Sequence, residues 1–182
     1  MLYIMRHGMT DWNKHHKLQG RTDIPLNDEG RMMAEGACDR YKDIHFDVCY
    51  SSPLSRALET AHIVLKGRDV PIITDDRLVE MSFGEYEGLE NAFNNPDCPI
   101  SVMFRSPEKY VSSIGGAETF EELFARTGSF LKEVIEPLLK EGKDVLILGH
   151  GMMNTSIIAQ IRNIPIEEFW SIGIKQCEII KL

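Results

Sequence analysis

The sequence has no long apolar run. No stretch approaches the ~18 consecutive apolar residues of a membrane-spanning helix, and the apolar segment at the N-terminus is far too short for a signal peptide. The four cysteines, Cys38, Cys49, Cys98 and Cys177, form no C-x-x-C pair, which argues against a zinc site or a redox motif. We therefore expect a cytoplasmic protein with free, buried thiols and no membrane partner.

Basic residues are in the minority. The chain has 20 Lys and Arg against 28 Asp and Glu, a formal net charge of -8. Surfaces that bind nucleic acid need basic patches, so no nucleic-acid partner is expected, although a small anion in a local basic pocket remains compatible with this charge. The two common phosphate-binding motifs, G-x-G-x-x-G after the first strand and G-x-x-x-x-G-K-[ST], are also absent, which disfavours a nucleotide-binding domain.

Short apolar runs alternate with helical patterns along the 182 residues, a length that predicts one domain spanning 1–182. The runs predict strands at 2–5, 46–51, 70–74, 144–148 and 177–182. Helical spacing predicts helices at about 28–41, 53–66, 119–140 and 152–162. Nearly continuous apolar strands are typical of a sheet that is covered on both faces. The pattern therefore predicts an α/β fold, a three-layer α/β/α sandwich with a mostly parallel sheet.

Several residues mark where these elements begin or change. Asn27 is predicted to cap the first long helix, Ser52 and Pro53 to be the N-cap and first residue of the second, and Thr119 to open a capping box. Pro137 is predicted to kink or shorten the third helix. The segment 81–116 has few apolar runs and is predicted to be a small lid-like excursion. The last strand is predicted to lie at an edge of the sheet, where it could pair two subunits in a homodimer.

Arginine and histidine residues follow three of the predicted strands. Arg6 and His7 follow the first, Arg56 lies one turn into the helix after the second, and His150 follows the fourth. Since ligands bind outside the carboxyl ends of parallel strands, we expect these side chains to meet in one pocket. Two of the strands run directly into helices, whose N-termini favour an anion.

This set of residues suits phosphoryl transfer. A guanidinium group binds phosphate oxygens in a bidentate manner, a neutral imidazole can attack phosphorus, and a second imidazole can hold a phosphoryl oxygen. The residues alone leave open whether His7 or His150 is the nucleophile. Gly8 and Gly151, which follow the two histidines, are predicted to let the backbone approach the ligand.

Six segments together resemble the histidine phosphatase superfamily, also called the phosphoglycerate mutase-like family, and within it the small bacterial-type phosphomonoesterases. They occur in the family's order and cover nearly the whole chain. The segments are MRHGMTDWN, LQGRTDIPLNDEG, YSSPLSRALETA, LVEMSFGEYEGLE, GGAETFEELFAR and ILGHGMM.

The resemblance implies roles for the matching residues. His7 would be the nucleophile and carry the phosphohistidine, and Glu80 would protonate the leaving oxygen and then deprotonate a water. A bound phosphate dianion favours the protonated form of a nearby carboxyl group, as this role requires. The residues implied to bind the phosphoryl group or the substrate are Arg6, Asn13, Gln19, Gly20, Arg56, His150 and Gly151. No metal and no cofactor are implied. Asn154 is a departure, because many relatives have arginine there.

The superfamily includes hydrolases and mutases, and two features favour a hydrolase. The segment between the predicted acid and the second histidine is compact, and Phe83 stands where mutases tend to have tyrosine. No Lys or Arg lies between Met81 and Phe104, which suggests an acidic wall that repels polyanionic substrates. The acids of this segment are Glu85, Glu87, Glu90 and Asp97.

The expected substrate is a small metabolite with one phosphate on a neutral, apolar or cationic remainder. The residues expected to contact that remainder are Met81, Phe83, Tyr86, Phe93, Met103 and Phe104. The alternatives are a phosphoglycerate mutase-type transfer and a non-catalytic module that binds a phosphorylated ligand.

Overall fold

A five-stranded sheet forms the centre of the protein, which a computed structural model describes over residues 1–182. The strands are β1 (Leu2–Arg6), β2 (Val48–Ser51), β3 (Ile72–Thr74), β4 (Val145–Gly149) and β5 (Ile179–Lys181). Their order is β3-β2-β4-β1-β5. The first four run parallel and β5 runs antiparallel to β1 at one edge, so the mostly parallel sheet and the edge position of the last strand are confirmed.

Helices cover both faces of the sheet. The helices are α1 (Asp11–Lys14), α2 (Asp28–Arg40), α3 (Ser55–Val64), α4 (Val102–Arg105), α5 (Phe120–Phe130), α6 (Glu136–Lys140) and α7 (Gly151–Arg162). Along β1, Leu2 and Ile4 pack in one apolar core with α5 and α7, whereas Tyr3 and Met5 pack in the other with α2 and α3. This alternation confirms the three-layer α/β/α sandwich. None of the helices combines the length and apolar character needed to cross a bilayer.

The helix ends follow most of the predicted signals. The Asn27 side chain accepts a hydrogen bond from the Gly30 N–H at 2.8 Å, and Thr119 forms a reciprocal capping box with Glu122. The helix predicted at 119–140 consists of α5, a π-helical segment at Leu131–Ile135, and α6. The π segment lies directly before Pro137, which has no N–H to donate to a regular α-helical ladder.

One predicted helix start was wrong. The helix α3 begins at Ser55 and its N-cap is Leu54, so Ser52 and Pro53 lie outside it. The Ser52 hydroxyl accepts the Leu54 N–H at 3.3 Å and also makes a hydrogen bond with His150 at the end of another strand.

The segment 81–116 leaves the sheet and contributes no strand to it. It contains α4 and three short 3₁₀ turns, Gly84–Tyr86, Pro99–Ser101 and Pro107–Lys109. Met81 and Met103 are fully buried in the core that contains α5 and α7, so they anchor the segment instead of contacting a ligand. Whether the segment acts as a lid stays a prediction.

The cysteines are all free thiols. Cys49 and Cys177 are buried and Cys38 and Cys98 are half-buried, so the prediction of buried thiols holds for two of them. Burial raises the pKa of Cys49 and that of Cys177 to about 12, so both stay protonated at neutral pH.

Candidate active site

The carboxyl ends of β1, β2 and β4 meet at one edge of the sheet. Arg6 lies opposite Gly149, and Ser51 lies opposite Leu148. Beyond these pairs, the His7 N–H donates to the Gly149 carbonyl at 2.9 Å and the Ser52 N–H donates to the Leu148 carbonyl at 3.0 Å. The parallel register therefore brings the residues that follow three strands to one place, as the sequence predicted.

A cavity of about 380 Å³ opens at this edge. The predicted site residues that line it are Arg6, His7, Asn13, Gln19, Gly20, Arg56, Glu80 and Gly151. His150 lies behind this lining, fully buried, with its ring centroid 5.1 Å from that of His7. The structure thus brings together every residue for which the resemblance implied a catalytic or phosphate-binding role.

His7 is held in one tautomer. Its Nδ1 lies 2.6 Å from the Gly8 carbonyl oxygen. A carbonyl oxygen only accepts hydrogen bonds, so Nδ1 carries the proton and donates it, and the neutral ring keeps its lone pair on Nε2. The Nε2 atom of His7 therefore has the electron pair that a nucleophile needs.

In His150 the other nitrogen is free: Nε2 is hydrogen-bonded and Nδ1 has no partner within the protein. Its Nε2 lies 2.8 Å from the Ser52 hydroxyl, which also accepts the Leu54 N–H at 3.3 Å. In the tautomer in which the Ser52 hydroxyl donates to Nε2, the ring proton is on Nδ1. The Nδ1 atom is buried and has no hydrogen-bond partner within the protein, so in this tautomer it can donate to an anionic oxygen.

The two arginines are each fixed by backbone carbonyls. Arg56, which is 1% exposed, donates to the Thr22 carbonyl at 2.9 Å and to the Gly20 carbonyl at 2.7 Å. Arg6 donates to the Ile174 carbonyl at 3.3 Å. The Nε atoms of both guanidinium groups are buried and unpartnered. Because an unpaired buried donor is costly, these atoms indicate a site built for an anion.

Burial, together with the nearby arginines, keeps both histidines neutral. The pKa of His7 is lowered well below 6.5, chiefly by burial and further by Arg56 and Arg6. The pKa of His150 is lowered for the same reasons, with burial the largest cause, followed by Arg56 and His7. Burial also lowers the pKa of Arg6 and of Arg56, and nearby Glu80 opposes that shift. Neutral imidazoles beside charged guanidinium groups are the protonation states that phosphoryl transfer requires.

The lowered histidine pKa predicts that acid destabilises the fold. In the unfolded chain a histidine has a pKa of about 6.5, so below that pH the unfolded state binds more protons than the folded state. Between pH 6.5 and 5.5, each such histidine removes about 1 kcal/mol of unfolding free energy. We expect His7→Gln to lose less stability than the wild type over this range, as measured by urea unfolding monitored by circular dichroism. An equal or larger loss in the variant would contradict the lowered pKa.

Glu80 is positioned by backbone N–H groups at the start of α7. One carboxylate oxygen accepts from the Met81 and Met153 N–H groups, both at 2.9 Å, and the other accepts from the Met152 N–H at 3.2 Å. A Cβ atom at Gly151 would lie 3.6 Å from Glu80 Oε2 and 3.7 Å from the central carbon of the Arg6 guanidinium. A side chain at 151 would therefore enter the space between the acid and the arginine.

The position of Gly8 has no room for a side chain, because it packs closely against α2. A Cβ atom at Gly8 would lie 2.5 Å from the Gly30 carbonyl oxygen at the start of α2. The missing side chain therefore lets the loop pack on α2, and the approach of the Gly8 backbone to a ligand stays a prediction.

The predicted acidic wall was wrong. None of the four acids of the segment lines the cavity. Glu87 faces backbone donors instead, accepting from the N–H groups of Arg21 at 3.0 Å, Thr22 at 2.9 Å and Phe83 at 3.0 Å. Glu90 pairs with Lys17 at 3.6 Å. Sequence position alone did not show that the carboxylates of Glu87 and Glu90 bind other groups of the protein.

Glu118 and Arg126 hold the segment that carries Glu80. Arg126 makes two bonds to the Glu118 carboxylate, at 2.7 and 3.0 Å, and a third to the Arg77 carbonyl at 2.6 Å. Glu118 also accepts the Ser82 N–H at 3.4 Å and donates its own N–H to the Ser82 carbonyl at 2.9 Å. The pair therefore fastens the chain on both sides of Glu80.

Four residues that hold the site in place were not predicted from the sequence. They are Ser52, Glu87, Glu118 and Arg126. The last two lie in GGAETFEELFAR, which was matched only as a block. Their partners are far away in the chain: Arg77 is 49 residues from Arg126 and Ser52 is 98 residues from His150. The only signal in the sequence was that Glu118 and Arg126, two opposite charges without an assigned role, lie in the same matched segment.

Asn154 lies outside the cavity lining. It is fully buried, and its Nδ2 donates to the Met5 carbonyl at 3.0 Å. It thereby fastens the end of the strand that leads into Arg6. At this position, where the resemblance led us to expect arginine, the chain has a contact to its own backbone.

Comparisons with known sequences and structures identify relatives of this chain. A sequence model of the histidine phosphatase superfamily (branch 1) matches residues 2–182. The chain is 34% identical to the uncharacterized phosphatase PhoE of Bacillus subtilis over 87% of this chain and 75% of that protein. It is 31% identical to a 2,3-bisphosphoglycerate-dependent phosphoglycerate mutase of Cytophaga hutchinsonii over 92% of this chain and 80% of the mutase.

A solved structure shows the same architecture. The structure of Bacillus stearothermophilus YhfR superimposes with a TM-score of 0.87 at 31% sequence identity, over 98% of this chain and 88% of that one. The relatives thus include proteins named as phosphatases and proteins named as mutases. The chain belongs to the histidine phosphatase superfamily.

Proposed function

We propose that the protein is a phosphomonoester hydrolase that works without a metal and through a phosphohistidine intermediate on a small phosphorylated metabolite. One observation carries the proposal. The free Nε2 of a neutral His7 lies in a cavity lined by Arg6 and Arg56, whose buried Nε donors have no partner within the protein, and the buried, unpartnered Nδ1 of His150 lies behind that lining. These donors match the oxygens of a phosphoryl group.

The reaction would proceed in two steps. The lone pair of His7 Nε2 attacks phosphorus, the bond to the ester oxygen breaks, and the leaving oxygen takes a proton from Glu80. Water then attacks the phosphohistidine, Glu80 takes a proton from that water, and the N–P bond breaks to release phosphate and the free imidazole. Arg6, Arg56 and His150 hold the phosphoryl oxygens throughout, stabilising the charge that shifts onto them in each transition state.

The cavity favours a hydrolase over a mutase. A mutase must hold a second anionic group while the phosphoryl group returns to the substrate. Beyond the phosphoryl-binding residues, the basic side chains that line the cavity are Lys17 and His16, and Lys17 is paired with Glu90 at 3.6 Å. This leaves little positive charge for a second anion. Among the relatives, B. subtilis PhoE is named as a phosphatase.

The first experiment measures phosphate release from a panel of phosphomonoesters in the presence of EDTA. Release that persists in EDTA and disappears in His7→Ala would support the proposal. Loss of release in EDTA, restored by added Mg²⁺, would overturn metal independence. Interconversion of phosphoglycerates without net phosphate release would favour the mutase. Binding of phosphate esters without either reaction would favour a ligand-binding module.

The residues that fasten the Glu80 segment give a further prediction. Glu118→Gln breaks the charge pair with Arg126 and loosens the chain at Ser82, so Glu80 is less well placed. We expect kcat to fall about tenfold while KM changes less than about threefold. Glu118→Asp should recover part of the rate. The matched control is Glu121→Gln, at an exposed position three residues along the chain, on α5. An unchanged kcat in a folded Glu118→Gln protein would rule out the positioning role.

Three wider expectations stay predictions. They are a cytoplasmic location, the absence of a nucleic-acid partner, and a homodimer that pairs β5 with its copy. The antiparallel edge position of β5 is compatible with such pairing, since one side of that strand has no neighbour in the sheet.

A further inference from the structure

The outer part of the cavity is lined by four aromatic rings. Phe83, Phe93 and Phe104 come from the segment 81–116, and Trp170 comes from the 3₁₀ helix Ile166–Ser171. The ring centroids of Phe104 lie 5.7 Å from Phe83, 6.1 Å from Phe93 and 5.3 Å from Trp170. The rings therefore form one connected surface, which we call the aromatic wall.

Trp170 is held in place although it is partly exposed. Its indole N–H donates to the Met103 carbonyl at 3.1 Å, and its ring stacks on Phe104 with an interplanar angle of 25°. The side chain nevertheless remains 38% exposed. A large apolar ring that is fixed and exposed beside a cavity is a preformed stacking surface, since binding costs no further ordering of that ring.

The charges around the aromatic wall narrow the choice of leaving group. The cavity lining contains a single carboxylate, Glu80, which lies at the phosphoryl end. A cationic leaving group would find no carboxylate beside the wall. A polyanionic leaving group would find only His16 and Lys17, of which Lys17 is already paired with Glu90. The charges therefore favour a neutral leaving group, and the four aromatic rings are the part of the lining that an apolar group would contact.

We propose that the substrate is a phosphomonoester whose leaving group carries a flat apolar ring, which stacks on the wall formed by Phe104 and Trp170. This inference rests on the proposed hydrolase function and names the substrate class of the same cavity. It narrows the expectation from the sequence, which also allowed a cationic remainder. Of the residues that the sequence suggested for this contact, Phe83, Phe93 and Phe104 line the cavity, whereas Met81, Tyr86 and Met103 do not.

The test compares esters whose leaving groups are chemically similar. Benzyl phosphate and ethyl phosphate both release an alcohol, so a difference in kcat/KM reports contacts with the ring and not the ease of bond cleavage. We expect benzyl phosphate to be preferred at least about tenfold. Equal values, or higher values for the cationic ester phosphocholine or for 3-phosphoglycerate, would overturn the inference.

Variants of the wall test whether Trp170 causes the preference. Trp170→Ala should reduce the benzyl-to-ethyl ratio about fivefold. Trp170→Leu keeps an apolar side chain in case the smaller residue unfolds the protein, and it should reduce the ratio in the same direction. The control is Ile161→Ala, a similarly exposed apolar residue on α7 outside the cavity, which should keep the wild-type ratio. An unchanged ratio in a folded Trp170 variant would contradict the role of the wall.

A binding measurement separates this inference from the proposed function. The chain has two tryptophans, so Trp12→Phe leaves Trp170 as the sole source of indole fluorescence. Benzylphosphonate, which cannot be hydrolysed, should change that emission, and methylphosphonate should not. If esters are hydrolysed through His7 without a preference for benzyl, only the ring inference fails. If no ester is hydrolysed and benzylphosphonate leaves the emission unchanged, both proposals fail.

Discussion

Replacing His7 by alanine is expected to lower kcat/KM for every phosphomonoester by at least about 10⁴-fold, because the variant lacks the atom that bonds to phosphorus. The arginines and His150 would still bind the phosphoryl group, so inorganic phosphate should still protect His7→Ala from thermal unfolding. Steady-state kinetics and thermal shift together distinguish a lost nucleophile from a lost binding site.

The matched variant is His150→Ala, which removes the other histidine of the pair. Its Nδ1 is positioned to donate to a phosphoryl oxygen, so its loss should cost about 10²- to 10³-fold in kcat. A phosphorylated protein that is stable in alkali and labile in acid, as phosphohistidine is, should still be trapped in His150→Ala and be absent in His7→Ala. Trapping with the reverse pattern would assign the nucleophile to His150 and overturn the mechanism.

Replacing Glu80 by glutamine is expected to have the second largest effect, and one that depends on the leaving group. For alkyl phosphates the departing oxygen needs a proton, so kcat should fall about 10³-fold. For p-nitrophenyl phosphate the departing phenolate is stable without a proton, so formation of the phosphohistidine should fall much less. Its hydrolysis still needs a base, so the phosphorylated protein should accumulate as a burst of nitrophenol.

The Glu80→Gln variant needs a stability control, because the Glu80 carboxylate also holds backbone groups in place. The Glu80 carboxylate accepts three backbone N–H bonds, from Met81, Met152 and Met153, and an amide oxygen can replace only part of them. Urea unfolding should therefore accompany the kinetics to separate a lost proton donor from a disturbed α7 N-terminus. Equal losses for alkyl and p-nitrophenyl esters, without a burst, would show that Glu80 does not handle the proton.

Much of the fold could be predicted because its causes are local. Apolar runs such as LYIM and DVLIL are the buried strands β1 and β4, and capping residues such as Asn27 and Thr119 mark helix starts by bonding to nearby N–H groups. The failure at Ser52 shows the limit of this reasoning. A serine before a proline is a good local cap, but here the helix begins only at Ser55, and the Ser52 hydroxyl also bonds to a histidine 98 residues away, which no local pattern shows.

The candidate site could also be predicted only where its causes are local. Placing Arg6, His7, Arg56 and His150 at one edge needed only the strand pattern and the parallel order of the sheet. The acidic wall failed because a carboxylate such as that of Glu87 is turned by whichever donors it meets, and those donors are backbone groups of distant residues.

Spacing along the chain was enough to predict the α/β alternation and the residues that follow each strand. Only the folded protein shows which nitrogen of each histidine is free, which acids face the cavity, and that Trp170 packs beside the phenylalanines. These properties depend on hydrogen bonds and packing between residues far apart in the chain, such as Trp170 and Met103, 67 residues apart. No local pattern encodes such contacts, because they exist only once the chain has folded.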